Sequence, residues 1–441
     1  MHALFLQLLC LSILLLLLLL LPFSTPSQTL NIINLGSTLS TIDDNPYWTS
    51  PSGEFSFGFY PLSEGDHYLL ALWFTNIPIK TIAWTANGDH PVHKGSRVEL
   101  TTIGSVSLFN STGEEIWKAE PLDGTRAASA AMLDNGNFVL LSTDSTIKWG
   151  TFDQPTDTIL PTQIVNRGGK LFSRFNQVDY SSGRFELALQ IDRNLVLNTI
   201  ARPTKGTYST YWESDTINNG YQLVFDQSGD LYLTLLNGSP FNFTEQQNTA
   251  STREFYQRAT IDFDGVFRKY AYPKNPDKIT QKWPQNWVVS WSVPSDICTS
   301  MPVQVGSGVC GFNSYCVVDD EEQRPNCECP PGYDYLYPND RFRGCKAAFE
   351  PQRCEANDAN STMGFEMRAM VNTDWPLCDY EHFELVKEEW CSDTCLKDCF
   401  CAVSIFREGN CWLKKFPLSN GRMDTSVGGK AFVKVSNSSP S

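Results

Sequence analysis

The sequence predicts a mainly β chain: closed β-repeat domains first, then two small cysteine-rich modules, the last of them α+β. Three observations predict this. Before Cys298, polar and apolar residues alternate in short runs rich in Val, Ile, Phe, Tyr and Trp, with almost no helical period. Six of those runs open alike, on Gly or another turn residue. Thirteen of the fourteen cysteines then lie between Cys298 and Cys411.

From Leu4 to Leu21 the chain is almost all leucine, and Pro22 and small polar residues end the run. Residues 1–27 read as a signal peptide, cleaved near Thr25–Gln28. No Lys or Arg precedes the run, and a stretch of about 18 apolar residues just reaches bilayer length, so an uncleaved anchor is the alternative. No second apolar run follows. Five Asn-x-Ser/Thr sequons, at Asn110, Asn237, Asn242, Asn360 and Asn437, fit a secretory route and a secreted or cell-surface glycoprotein. The formal net charge of -15 builds no basic stripe for phosphates, so nucleic acid is not expected as a partner. Its plain reading is solubility.

The six runs are GEFSFGF at Gly53, GSVSLF at Gly104, GNFVLL at Gly136, RNLVL at Arg193, GDLYL at Gly229 and GVFRKY at Gly265. They read as a degenerate repeat, three copies per domain, that closes on itself and leaves no long free sheet edge. Trp73, Trp84, Trp117, Trp149 and Trp212 punctuate the array as core plugs. A proline-bounded crossover, Gln154–Pro161, separates the two sets, and a second boundary falls near Ser290–Pro294.

Cys298, Cys310, Cys316, Cys327, Cys329 and Cys345 form a compact unit, too small to hold together without crosslinks. Six cysteines allow fifteen pairings, and spacing alone does not choose among them. In the last module Cys391, Cys395 and Cys399 recur every four residues, which predicts one face of a helix. CAVSIF (Cys401–Phe406) and CWLKKF (Cys411–Phe416) then predict a hairpin turning at Glu408–Asn410.

GEFSFGFYP (Gly53–Pro61), ALWFTNIPIKTIAWTANGDHP (Ala71–Pro91), LDNGNFVLL (Leu133–Leu141) and TFDQPTDTILPTQ (Thr151–Gln163) resemble the bulb-type lectin region of plant G-type lectin S-receptor-like serine/threonine kinases. CGFNSYC (Cys310–Cys316) and CECPPGY (Cys327–Tyr333) are similar to that family's EGF-like module. DWPLCDYE (Asp374–Glu381) and WCSDTCLKDCFCAV (Trp390–Val403) resemble its PAN (apple) module. The resemblance implies two β-prism (bulb-type lectin) domains over 28–155 and 156–292, an EGF-like module over 294–346, a PAN-like module over 354–435 and a tail over 436–441. It also implies pairings: Cys298–Cys316, Cys310–Cys327, Cys329–Cys345, Cys391–Cys411 and Cys395–Cys401. Cys354–Cys399 is the remaining expected pair, with Cys378, where the family motif has serine, left as a free thiol. The family's kinase motifs are absent from this sequence, so no enzyme activity is expected of it.

The candidate binding motif is ALQIDRNLVLN (Ala188–Asn198). Bulb lectins read mannose with Gln-x-Asp-x-Asn-x-Val-x-Tyr, and Gln190, Asp192, Asn194 and Val196 match in register, while Asn198 replaces the Tyr. Residues two apart on a strand face one way, so an acceptor and two amides would converge on sugar hydroxyls, with Val196 against a C–H face. The competing reading has Asp192 and Asn194 closing a turn with their own backbone. The first domain's counterpart, Leu133, Asn135, Asn137, Val139 and Leu141, reads as scaffold.

Zinc on Cys395, Cys399, Cys401 and His382 is the metal alternative, set aside in favour of disulfides. No metal or cofactor is expected, and neither a Gly-x-Ser-x-Gly elbow nor a paired-carboxylate arrangement stands out. The sequence therefore predicts an extracellular recognition protein whose partner is a mannose-type carbohydrate or a protein, with self-association or contact with a full-length receptor as further partners. Two alternatives stand beside it: a receptor kinase whose sequence is truncated here, and a secreted mannose-binding defence lectin.

Overall fold

The computed structural model describes residues 30–63, 66–121, 123–201, 204, 206–243, 251–275, 286–302, 306–319, 324–352, 354, 364–377 and 379–437. Among these, no helix is long and apolar enough to cross a membrane.

All six repeats form hairpin turns of one design. A backbone N–H donates to the carbonyl three residues back: Gly53 to Ser50, Gly104 to Thr101, Gly136 to Leu133, Arg193 to Gln190, Gly229 to Asp226 and Gly265 to Asp262. In five of them the first residue's N–H then bonds the carbonyl four residues on, whereas the turn at Ser50 is one residue longer and closes on Phe55. The donor is left-handed every time, with φ from 72° to 96° at the glycines. An L side chain there brings Cβ against the following carbonyl, which is why the repeats open on glycine. Arg193, at φ 75°, is the exception.

These turns build two β-prisms, each of three antiparallel sheets. In the first, Ile32–Asn34, Ser129–Met132, Phe138–Leu141 and Ile147–Gly150 make one sheet, and Glu115–Ala119, Val106–Phe109, Arg97–Leu100 and Thr38–Ser40 the second. The third runs Tyr47–Thr49, Phe55–Pro61, His67–Phe74 and Thr81–Thr85, with Val92–His93 added alongside His67–Phe74. The second prism repeats this between Thr158 and Val293, and its sheet Lys170–Arg174, Ser182–Leu189, Leu195–Ile200, Thr207–Glu213 carries the candidate motif. Alternate residues point inward and fill the axis: Phe57 stacks on Phe138 at 3.8 Å in the first core, and Phe185, Leu197, Phe225 and Phe267 pack the second. Trp73, Trp84 and Trp149 are buried, and Trp117 and Trp212 are half-buried.

The prisms are packed on one another. Phe74 of the first meets Tyr256 and Trp287 of the second edge-on, at 5.6 and 5.1 Å. The indole N–H of Trp287 donates to Thr81 Oγ1 (2.8 Å), and Lys274 Nζ pairs with Glu54 (2.8 Å).

A buried charge cluster joins the second prism to the cysteine-rich region. Arg268, 1% exposed, donates to Asp262 (2.7 Å) and to both oxygens of Asp264 (2.8 and 2.9 Å). Arg324, from beyond the prism, donates to Asp264 (3.2 Å) and to the Tyr270 hydroxyl (2.9 Å), which itself donates to Asp262. Burial alone would push the Asp262 carboxyl up, but Arg268, Arg324 and Arg258, helped by the Tyr270 hydroxyl, more than offset it and hold it below the usual range. Burial and the neighbouring Asp262 push the Tyr270 phenol up to about 12.

In the cysteine-rich region Tyr315–Val318 pairs with Pro325–Glu328, and Tyr333–Tyr335 with Cys345–Ala347. The last module is a five-stranded sheet, Phe365–Val371, Lys430–Ser436, Val403–Arg407, Asn410–Lys414 and Asp379–Phe383, with the helix Glu388–Lys397 packed on it. One expectation needs correction here. Cys399 lies outside the helix, because Asp398 adopts extended backbone and turns its carboxylate to the Phe400 N–H (2.9 Å) and the Tyr380 hydroxyl (2.7 Å). The two cysteine-rich modules also pair with one another. Tyr315–Cys316 pairs in parallel with Gly421–Arg422, and the buried Trp375 donates to the Ser314 carbonyl (2.8 Å). A Cβ on Gly421 would meet that carbonyl at 2.2 Å, so glycine is required for the approach.

Arg193→Gly should raise stability by up to about 1 kcal/mol by relieving left-handed strain. Gly265→Ala should lower it, because the new Cβ meets Phe185 and Ile297 at 2.7–2.8 Å; denaturant titration of both variants reads the opposite signs. Arg268→Met should cost about 3–5 kcal/mol by stranding two buried carboxylates, and Arg324→Met about 1–2 kcal/mol because that guanidinium is partly solvated. With Asp262 depressed in the fold, the unfolded chain binds more protons as pH falls below about 4. Wild-type stability should therefore drop through that window, and Arg268→Met should flatten the drop.

Candidate functional site

The candidate motif sits on the fourth of the six turns. Gln190 to Asn194 span the turn between strands Ser182–Leu189 and Leu195–Ile200, so the expectation that they lie along a strand is corrected. One Asp192 oxygen accepts from the Asn194 N–H (3.1 Å), as Asn135 does from Asn137 and Asp264 from Val266. The carboxylate thus shapes its own turn while remaining exposed.

Asn194 is 2% exposed and both ends of its amide are hydrogen-bonded. Nδ2 donates to Glu213 (2.7 Å), and Oδ1 accepts from Ser214 Oγ and the Thr216 N–H, both at 3.1 Å. Asn137 does the same in the first prism, accepting from Thr151 Oγ1 and the Phe152 N–H, both at 3.1 Å. The shared Asn is therefore a pin holding each hairpin to the next stretch of chain. Val196 is 1% exposed. Asn198 is buried too, donating to Glu186 (3.0 Å) and accepting from Thr210 (2.7 Å).

Gln190, half-buried, and Asp192 line an open depression of about 410 Å³ with Gly168, Lys170 and Ile191. Sequence reasoning missed Lys170 and Glu186, which pair at 3.0 Å beside it, Glu186 almost fully enclosed. The signal was a lone Glu in the apolar strand FELAL. The structure therefore brings Gln190, Asp192 and Lys170 to one surface, which offers a carbonyl, a carboxylate, an amide and an ammonium to a polyhydroxylated ligand. Asn194 and Val196 lie behind it.

The described cysteines form six disulfides: Cys298–Cys316, Cys310–Cys327, Cys329–Cys345, Cys354–Cys399, Cys391–Cys411 and Cys395–Cys401. His382 shares a hydrogen bond with Asn410 (3.1 Å) and stacks on Trp412. Among the described residues no three His, Cys, Asp or Glu side chains are grouped to hold a metal. Asn237, Asn242 and Asn437 are exposed and Asn110 half-buried, while Asn360, Cys378 and the leader over 1–27 lie outside the described residues.

The family described as D-mannose binding lectin matches residues 81–173. The G-type lectin S-receptor-like serine/threonine-protein kinase LECRK3 of Oryza sativa subsp. indica is 42% identical over 455 residues, covering 100% of this chain and 54% of its own. LECRK1 of Oryza sativa subsp. japonica, of the same description, is 41% identical over 445 residues, covering 97% of this chain and 54% of its own. A solved lectin of Marasmius oreades aligns with 32% of this chain and 91% of its own at 16% identity, with a TM-score of 0.23. The chain spans about half the length of the curated relatives it matches. Aligned from end to end at this identity, the chain belongs to the plant family of G-type lectin S-receptor-like proteins.

Proposed function

We propose that this chain is the recognition part of a plant receptor-like glycoprotein, secreted or displayed at the cell surface, that binds mannose-type carbohydrate through its prisms. The match of residues 81–173 to the D-mannose binding lectin family carries the reading. Six disulfides support an oxidising compartment. Recognition belongs to 28–155 and 156–292, spacing to the EGF-like module over 294–346, and protein contact, self-association included, to the PAN-like module over 354–435. Kinase activity is part of the relatives' names, and the proposal for this chain covers recognition alone.

At the fourth turn Gln190 and Asp192 are the sugar contacts, and Asn194 and Val196 hold the hairpin that presents them. A shallow, open site of this kind binds weakly on its own, so retention of a ligand depends on several sites or on multivalent glycans.

A glycan array probed with the secreted protein should show retention on mannose-rich structures. Asp192→Ala should weaken that binding about tenfold, the effect of one charge-assisted hydrogen bond, while the lost bond to the Asn194 N–H costs no more than about 1 kcal/mol of stability. Asn194→Ala should instead lower stability by about 1–3 kcal/mol. An array silent to the wild-type protein would sink the lectin reading, and unchanged mannose binding by Asp192→Ala would remove this turn from it.

A further inference from the structure

We propose a second carbohydrate site, in the cleft where the two prisms meet, that takes a neutral pyranose against Trp117 and hydrogen-bonds its vicinal hydroxyls through Asp157 and Arg174. The ligand class rests on the lectin reading above; the place rests on geometry. The cleft encloses about 390 Å³, within the range of about 300–1,000 Å³ usual for small-ligand sites, which favour domain junctions. Ile116 and Trp117 of the first prism form one wall, and Phe172–Arg174 with Tyr180 of the second form the other. The crossover residues Pro155–Asp157 also line it.

The mouth is pinned rather than loose. Asp89 accepts from the Ser182 N–H (2.8 Å) and Oγ (3.0 Å) across the junction. Gly88 lies so near the Tyr180 carbonyl that a Cβ would meet it at 2.3 Å. A cavity framed by such close approaches keeps its shape without a ligand, which lowers the ordering cost of binding one.

The polar groups inside are of the kind a sugar satisfies. Arg174 lies over the Tyr180 ring at 5.3 Å, and its Nε is buried without a protein acceptor. Asp157 is held by the Thr158 hydroxyl (2.9 Å) and faces the field of Arg174; burial pushes its carboxyl up. A hydroxyl group can donate to Asp157 and a neighbouring one can accept from Arg174, while a pyranose C–H face packs on the indole of Trp117. Asp89 and Asp157 outnumber Arg174 two to one, so the cleft carries no cation excess and disfavours an anion. A neutral sugar fits this balance better than a uronate or phosphate.

The test is hydrogen exchange on the full secreted chain with α-linked mannobiose at millimolar concentration, alongside Ala86→Phe, which fills the cleft from its wall. The expected result is slowed exchange over 85–90, 115–117, 155–158 and 172–182. That protection should be lost in Ala86→Phe, whose affinity for mannobiose should fall at least about tenfold. Protection confined to 188–196, with Ala86→Phe binding as the wild type does, overturns the cleft and leaves the lectin reading standing. Failure of the wild type to bind mannobiose or any array glycan overturns both. If Ala86→Phe does not fold, the wild-type exchange pattern alone decides.

Discussion

A hairpin turn that reverses through one left-handed residue closes each of the six sequence repeats between Ser50 and Val266, and the sheets of both prisms depend on it. Each turn sets the register of the strands it joins, and register decides which side chains face the axis. With all six in register, Phe57, Phe138, Phe185 and Phe225 point inward together and the sheets close into prisms. Five positions meet the demand with glycine, which has no Cβ to clash. The sixth is Arg193, in the turn that also presents Gln190 and Asp192 beside an open depression. A site resting on the strained member of a repeat is where local consistency is expected to fail.

A second constraint acts between units. Asp262, Asp264 and Arg268 are buried where water cannot stabilise them, so each must be compensated by another charge. Arg268 bonds both carboxylates, Arg258 adds its field from within the prism, and Arg324 reaches in from beyond it to pair with Asp264. Removing water from Asp262, Asp264 and Arg268 is costly, and the attraction among them and to the partly solvated Arg324 repays it in the docked arrangement. The cluster therefore specifies how the second prism meets the cysteine-rich region more than it adds to stability. The parallel pairing of Tyr315–Cys316 with Gly421–Arg422 extends the same fixation to the last module.

Local signals were legible in the sequence. Glycines that open alternating runs marked the turns, because left-handed backbone selects for them, and cysteine spacing marked two modules. What the sequence did not reveal depends on residues far apart in the chain. Nothing near Arg324 names Asp264, sixty positions away, as its partner. The pairing of Tyr315 with Gly421 spans two residues and leaves no periodicity. Asn194 was legible as a polar residue at a hairpin, but its commitment to Glu213, Ser214 and Thr216 depends on the neighbouring strand. The cleft lined by Trp117 and Arg174 belongs to two units at once, so no single stretch of sequence contains it.

The proposed sugar binding has two settings on the prisms: an exposed turn carrying Gln190 and Asp192, and an enclosed junction lined by Trp117, Asp157 and Arg174. The exposed turn suits multivalent glycans and the enclosed one a chain end. A crystal structure of the secreted chain grown in saturating mannobiose tests carbohydrate recognition by the prisms most directly. Sugar density at the Gln190–Asp192 turn or between Trp117 and Arg174 is the predicted result. Sugar-free prisms at saturation, or density only on the cysteine-rich modules, would contradict it.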